Sequence, residues 1–96
     1  ALSTPELNIG CAEGEQHTLV AKLQSDAQFP GASDIIRIDG LRVEYPDGFG
    51  LARASNTTPV IVLRFEADNQ AALTRIQHDF RRVLTAAKPG VELPFA

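Results

Sequence analysis

The chain has 96 residues, of which 44% are hydrophobic and 22% charged, and a net charge of -3. A chain of this length makes one core and buries roughly 60 to 65% of its unfolded surface on folding, which suffices without staples. No apolar run approaches the roughly 18 residues of a membrane helix, and scattered cations in an acidic chain exclude a general nucleic-acid binder, whose affinity rests on clustered Lys and Arg.

The single cysteine, Cys11, cannot form an internal disulfide, which fits a reducing, cytoplasmic setting. With no basic neighbour to lower its pKa, it reads as a buried structural thiol. Methionine is absent, and Ala1-Leu2-Ser3-Thr4-Pro5 resembles an exposed Ser/Thr/Pro boundary. The expectation is a piece of a longer chain, with residues 1–6 as an interdomain linker and residues 7–96 as one domain.

Leu7 and Ile9 alternate with Glu6 and Asn8, enough for a short edge strand. From about Glu15 to Gln28, Leu19, Val20, Leu23 and Ala27 share one helical face, and Glu13 and Glu15 stand at the positive end of the helix dipole. No Ser, Thr or Asp caps this helix, which leaves Gly14 as the substitute, and Phe29-Pro30-Gly31 ends it. Ile36 and Ile38, then Leu41, Val43 and Tyr45, alternate on either side of Asp39-Gly40, a dipeptide suited to the positive φ angles of a tight hairpin.

Tyr45-Pro46-Asp47-Gly48 predicts a second turn, followed by a strand from Gly50 to Ala54. Val60 to Glu66 is apolar on both faces except at Arg64, the pattern of a central strand. Asp68 is then the expected N-cap of a helix striped by Leu73, Ile76, Phe80, Val83, Leu84 and Ala87, closed by Lys88 and stopped by Pro89-Gly90. The fold class is α+β: a four-stranded antiparallel sheet, extended by the N-terminal edge strand, with two helices on one face.

Catalytic constellations are missing. His17 and His78 read as solvated surface residues, lacking an i, i+4 partner and a converging carboxylate. Glu44, Glu66 and Asp79 read as solvated faces, and Arg75, Arg81 and Arg82 as surface ion-pair partners. The loop between the last two strands remains. Arg53 offers a bidentate fork, Ser55 and Thr57 add hydroxyl donors, and the turn's N–H groups can converge on an anion, which together suit a phosphate monoester. Ser, Asn, Thr and Pro are equally what an ordinary turn between strands uses, so spacing alone leaves both readings open.

The stretches Asp39-Gly40-Leu41-Arg42-Val43 and Gly48-Phe49-Gly50-Leu51-Ala52-Arg53-Ala54-Ser55-Asn56-Thr57-Thr58-Pro59-Val60 closely resemble the final domain of the α-D-phosphohexomutase family. The resemblance runs from Ser3-Thr4-Pro5-Glu6, similar to the hinge into that domain, to Arg64-Phe65-Glu66-Ala67-Asp68. Many members carry Gly and Glu where this loop has Asn56 and Thr58; the variant here resembles the bacterial bifunctional phosphomannomutase/phosphoglucomutase branch, with Phe49 standing where a Trp is common.

The resemblance implies a TATA-binding-protein-like domain of a cytoplasmic enzyme that interconverts hexose 1-phosphates and 6-phosphates, of glucose or mannose, through a hexose 1,6-bisphosphate. It implies a phosphoserine and Mg²⁺ in other domains, and no cofactor or catalytic residue in this one. Arg53, Ser55, Asn56 and Thr57 would hold the phosphate that is not transferred, and Ser3, Thr4 and Pro5 would form the hinge. An isolated domain of this kind would be inactive. The alternative is a free-standing small-ligand sensor or protein-interaction domain in which the loop is only a turn.

Overall fold

A computed structural model describes all residues, 1–96, as six strands and two helices. In chain order they are β1 (Leu2–Ser3), β2 (Leu7–Gly10), α1 (Glu15–Asp26), β3 (Asp34–Ile36), β4 (Leu41–Tyr45), β5 (Gly48–Ala54), β6 (Val60–Ala67) and α2 (Gln70–Ala87). The strands form one antiparallel sheet in which β6, β5, β4 and β3 lie side by side, and both β1 and β2 pair with the outer side of β6. The expected edge strand is therefore present, and it is longer than the alternation at residues 6–10 suggested.

β1 and β2 act as one interrupted strand. Ser3 stands opposite Glu66 and Leu7 opposite Leu63, so three residues, Thr4 to Glu6, face two on β6. That is a bulge, and it carries Pro5 where no ladder donor is needed. Thr4 fills the gap: its N–H donates to the Phe65 carbonyl at 2.9 Å, and its hydroxyl accepts from the Phe65 N–H at 3.1 Å.

Alternation along the strands sends Leu41, Val43, Ala52, Ile61, Leu63 and Phe65 toward the helices, where each is almost fully buried. α2 meets them with Leu73, Ile76, Phe80, Val83 and Leu84, the stripe expected from its period, and α1 with Leu19, Val20 and Leu23. Each Val, Leu, Ile or Phe among them contributes roughly 1.5 to 3 kcal/mol on burial. The opposite face of the sheet carries Arg42, Phe49, Leu51, Arg53 and Arg64, none of them fully buried.

Phe80 is the centre of the core. Its ring stacks at a tilt on Phe29 and edge-on to Phe65, with centroids 5.2 and 5.1 Å apart, and it lies directly on the backbone of β5 at Gly50. A Cβ at residue 50 would stand 2.7 Å from Phe80 Cζ, so this strand position has room for hydrogen only.

The β3–β4 hairpin departs from the expected tight turn. Asp39 and Gly40 do take positive φ, at 56° and 113°. However, Ile36 pairs with Arg42 and Asp34 with Glu44, so five residues, centred on Asp39, connect the last paired positions. The odd count reverses the faces of β3: Ile35 turns inward, while Ile36 and Ile38 are 37% and 80% exposed. The cause lies in α1. Gln24 Nε2 donates to the carbonyls of Arg37 (3.0 Å) and Gly40 (2.7 Å), and Arg37 Nε donates back to the Gln24 carbonyl at 2.8 Å.

Two smaller expectations also change. Asn69, not Asp68, caps α2, its Oδ1 accepting from the Ala72 N–H at 2.9 Å; the backbone N–H of Asp68 donates instead to the Asp47 carbonyl. Asp79 is half-buried and accepts from the Tyr45 hydroxyl at 2.8 Å rather than facing only water. Gly14 does cap α1, at φ 83°, with no side-chain bond. Arg75 pairs with Asp47 and Arg82 approaches Asp79, as surface ion pairs, while Arg81 donates to the Phe95 carbonyl. Cys11 is half-buried, and burial, reinforced by the Glu15 carboxylate, pushes its thiol pKa up.

Gly50→Ala is expected to lower stability by about 1 to 3 kcal/mol, the usual cost of overpacking. Thermal unfolding of Gly50→Ala, Phe80→Leu and the double variant checks the cause: the double variant should be more stable than the sum of the single losses predicts.

Burial, and then the bond to Asp79, raise the Tyr45 pKa well above its ordinary value. The unfolded chain therefore loses the tyrosine proton first, binds fewer protons than the folded chain above about pH 10, and stability falls as pH rises beyond that point. Tyr45 is the chain's one tyrosine, so tyrosinate absorbance reads it alone. Folded protein should show none at the pH where the urea-unfolded chain is half ionised.

Candidate anion-binding site

The loop from Ser55 to Pro59 joins the two longest strands and closes with the Ser55 N–H donating to the Val60 carbonyl at 3.0 Å. Inside it, Ser55 Oγ accepts from the N–H groups of Thr57 (3.3 Å) and Thr58 (3.2 Å), a Ser-turn that substitutes for backbone pairing. The same oxygen lies 3.1 Å from Thr58 Oγ1 and 3.4 Å from Thr57 Oγ1. Two of the turn's amides thus converge as expected, but on the Ser55 hydroxyl. The N–H of Asn56 meets no acceptor in the chain.

Arg53 lies two residues before Ser55, opposite Val62. Alternation with the buried Ala52 points it to the face away from the helices, where it is exposed and makes no ion pair or hydrogen bond within the chain. β4 ends its pairing with β5 at Leu41 and Ala52, so Arg53 and Ala54 continue past the neighbouring strand. The notch that results is a cleft of about 650 Å³. Arg53, Ser55, Asn56 and Thr57 all line it, so the structure brings the four sequence-predicted residues to one place.

The cleft has walls that the sequence did not reveal. His17 and Gln24 enter from α1, Asp39 and Gly40 from the β3–β4 turn, and Glu6 from the bulge. His17 is exposed, as expected, yet it belongs to this rim; His78 does not. Arg53 is the one Arg or Lys among the 13 lining residues, and Glu6 and Asp39 are the carboxylates. A small anion would find its grip only at the loop end, since the other charged residues of the lining are carboxylates. No three His, Cys, Asp or Glu side chains converge as ligands for a metal ion.

Of the hinge residues, Ser3 and Thr4 are bound into the sheet edge, and Pro5 occupies the bulge. Sequence reading also missed Gln16. It lies on the buried stripe of α1 with Leu19, Val20 and Leu23, only 4% exposed, and its Nε2 donates to the carbonyls of Ser55 (3.1 Å) and Thr58 (3.2 Å). The signal was its i, i+3, i+4, i+7 spacing with the apolar residues, which places a polar side chain where the core should be.

Two helices over one face of an antiparallel sheet, with an Arg-Ser-Asn-Thr loop lining a cleft at the sheet's end, define a small α+β domain with a candidate anion-binding loop. Residues 6–83 match the family described as "Phosphoglucomutase/phosphomannomutase, C-terminal domain", and the chain belongs to that family. A phosphoglucomutase of Neisseria meningitidis serogroup A is 61% identical over 85 residues, covering 88% of this chain and 18% of the relative. A phosphomannomutase/phosphoglucomutase of Pseudomonas aeruginosa is 50% identical over 94 residues, 98% of this chain and 20% of that one. The crystal structure of a phosphoglucomutase/phosphomannomutase family protein from Burkholderia thailandensis superposes with a TM-score of 0.88 at 64% identity, over 99% of this chain and 19% of that one. The chain spans about a fifth of the length of these relatives.

Proposed function

We propose that this domain is the phosphate clamp of a bifunctional phosphomannomutase/phosphoglucomutase, a cytoplasmic enzyme interconverting hexose 1-phosphates and 6-phosphates through a hexose 1,6-bisphosphate. The observation that carries the reading is Arg53: a guanidinium with no partner in the chain, at a cleft whose loop end holds the Ser55 hydroxyl and the unengaged Asn56 N–H. A phosphate monoester presents the oxygens that such donors match, and charge-assisted hydrogen bonds contribute roughly 1.5 to 3 kcal/mol each.

In this reading Arg53, Ser55, Asn56 and Thr57 hold the phosphate that stays on the sugar, while the far hydroxyl is presented to the phosphoserine and Mg²⁺ chemistry of other domains. The bisphosphate must bind in two orientations, with its C1 or its C6 phosphate in the clamp. A site of one fork, two hydroxyls and a backbone amide reads the phosphate and is indifferent to which carbon bears it. Gripping the remote phosphate supplies binding energy for orienting the reacting end. The domain closes over the substrate by rotation about Ser3, Thr4 and Pro5, the last two of which lie in the bulge that interrupts the edge strand.

In the full-length enzyme, Arg53→Ala is expected to lower kcat/KM by at least about tenfold, more than about 1.4 kcal/mol of transition-state stabilisation. A near wild-type value removes Arg53 from the site. Small-angle scattering of the same enzyme is expected to show a smaller radius of gyration with a substrate analogue than without; identical curves count against closure.

A further inference from the structure

We propose that Gln16 is the positioning residue of the phosphate loop: by holding the Ser55 carbonyl inward it turns the Asn56 N–H outward, as a backbone donor to the anion. The inference rests on the clamp reading given above and adds a residue that touches no ligand.

Gln16 stands on the core stripe of α1 at 4% exposure, where an aliphatic side chain would pack without polar cost. Its amide orientation is dictated by chemistry, because the groups it meets, the Ser55 and Thr58 carbonyls at 3.1 and 3.2 Å, are both acceptors, and only the NH₂ end can satisfy them. The consequence is that Oε1 is buried with no partner at all. A leucine would leave no such orphan, so what the amide adds here is its pair of donors.

The two donors do different things. The Thr58 carbonyl already accepts from the Val60 N–H at 2.8 Å, so there the second bond only reinforces the loop's end. Ser55 is another matter, since its carbonyl has Gln16 as its sole partner. That carbonyl belongs to the same planar unit as the Asn56 N–H, and every peptide bond in the chain is trans. In a trans peptide the C=O and the following N–H point in opposite directions. Fixing one toward the core therefore fixes the other toward the cleft, where Asn56 is exposed and its N–H is free.

The Ser55 hydroxyl completes the device from the other side. It gathers the Thr57 and Thr58 amides, leaving the Asn56 amide as the one N–H of residues 55 to 58 without an intraprotein acceptor. Without Gln16, the 55–56 peptide can rotate as a unit and the outward donor is lost to an ensemble of directions.

Amide NMR titration of the chain with inorganic phosphate and glucose 1-phosphate, with glucose as the uncharged control, tests this in wild type, Gln16→Leu, Gln16→Met and Arg53→Ala. The Asn56 N–H is expected to respond most strongly in wild type. Both Gln16 variants should bind phosphate about tenfold more weakly, the loss of one charge-assisted hydrogen bond, and lose the Asn56 response while their remaining spectra stay folded. Should neither variant fold, wild type alone decides: the Gln16 side-chain amide protons must exchange with solvent far more slowly than those of the exposed Gln28, and equal rates overturn the proposal. Wild-type phosphate affinity in either Gln16 variant, with binding abolished by Arg53→Ala, overturns the proposal and leaves the clamp standing. Absence of any response to phosphate in wild type overturns the clamp, and this inference with it.

Discussion

The contact between the Phe80 ring and the bare backbone at Gly50 organises the molecule. Because β5 offers no side chain there, α2 can approach the centre of the sheet closely enough for one ring to touch β5, Phe65 and Phe29 together. α2 sits on β5 and β6, α1 crosses β5 with contacts to β4 and β6 on either side, and both helices occupy one face. The alternation of β5 then follows without further choice. Ala52 and Ala54 turn toward the helices, and Arg53 must turn away from them.

The Ser55–Pro59 loop inherits its shape from that arrangement at one remove. α1, once packed, brings three polar side chains to the end of the sheet: Gln16 beneath the loop, His17 on its rim, and Gln24 against the β3–β4 turn. The site is thus held from behind by a helix that contributes little to its chemistry. A loop of small polar residues, free to adopt many conformations by itself, becomes a defined surface because the carbonyls of Ser55, Thr58 and Pro59 are engaged and the Asn56 amide is not.

Where residues act through local periodicity, they could be read from the chain. The stripe of α2, the apolar β6 and the positive φ angles of Asp39-Gly40 all follow from neighbours within a few positions. Reading failed where a distant partner decides between local options of similar energy. Asp68 and Asn69 are both competent caps, and only the exact start of the helix separates them. The Asp39-Gly40 turn could close after two residues or five, and Gln24, fifteen positions earlier than Asp39, selects the longer loop. Gln16 was hidden for the opposite reason: a lone polar residue on an apolar stripe looks like the stripe's border. The four loop residues came into view through family resemblance, since their composition is that of any turn.

The interrupted edge strand bears on how the sheet ends. An uncapped edge presents a row of free N–H and C=O groups to which a second chain can add. On one side of this sheet the row is broken by the Thr4–Glu6 bulge with Pro5 in it; on the other, β3 is only three residues long and begins with Asp34. Neither border offers a stranger a continuous template, so the bulge at one edge and the brevity of β3 at the other both disfavour self-association through the strands.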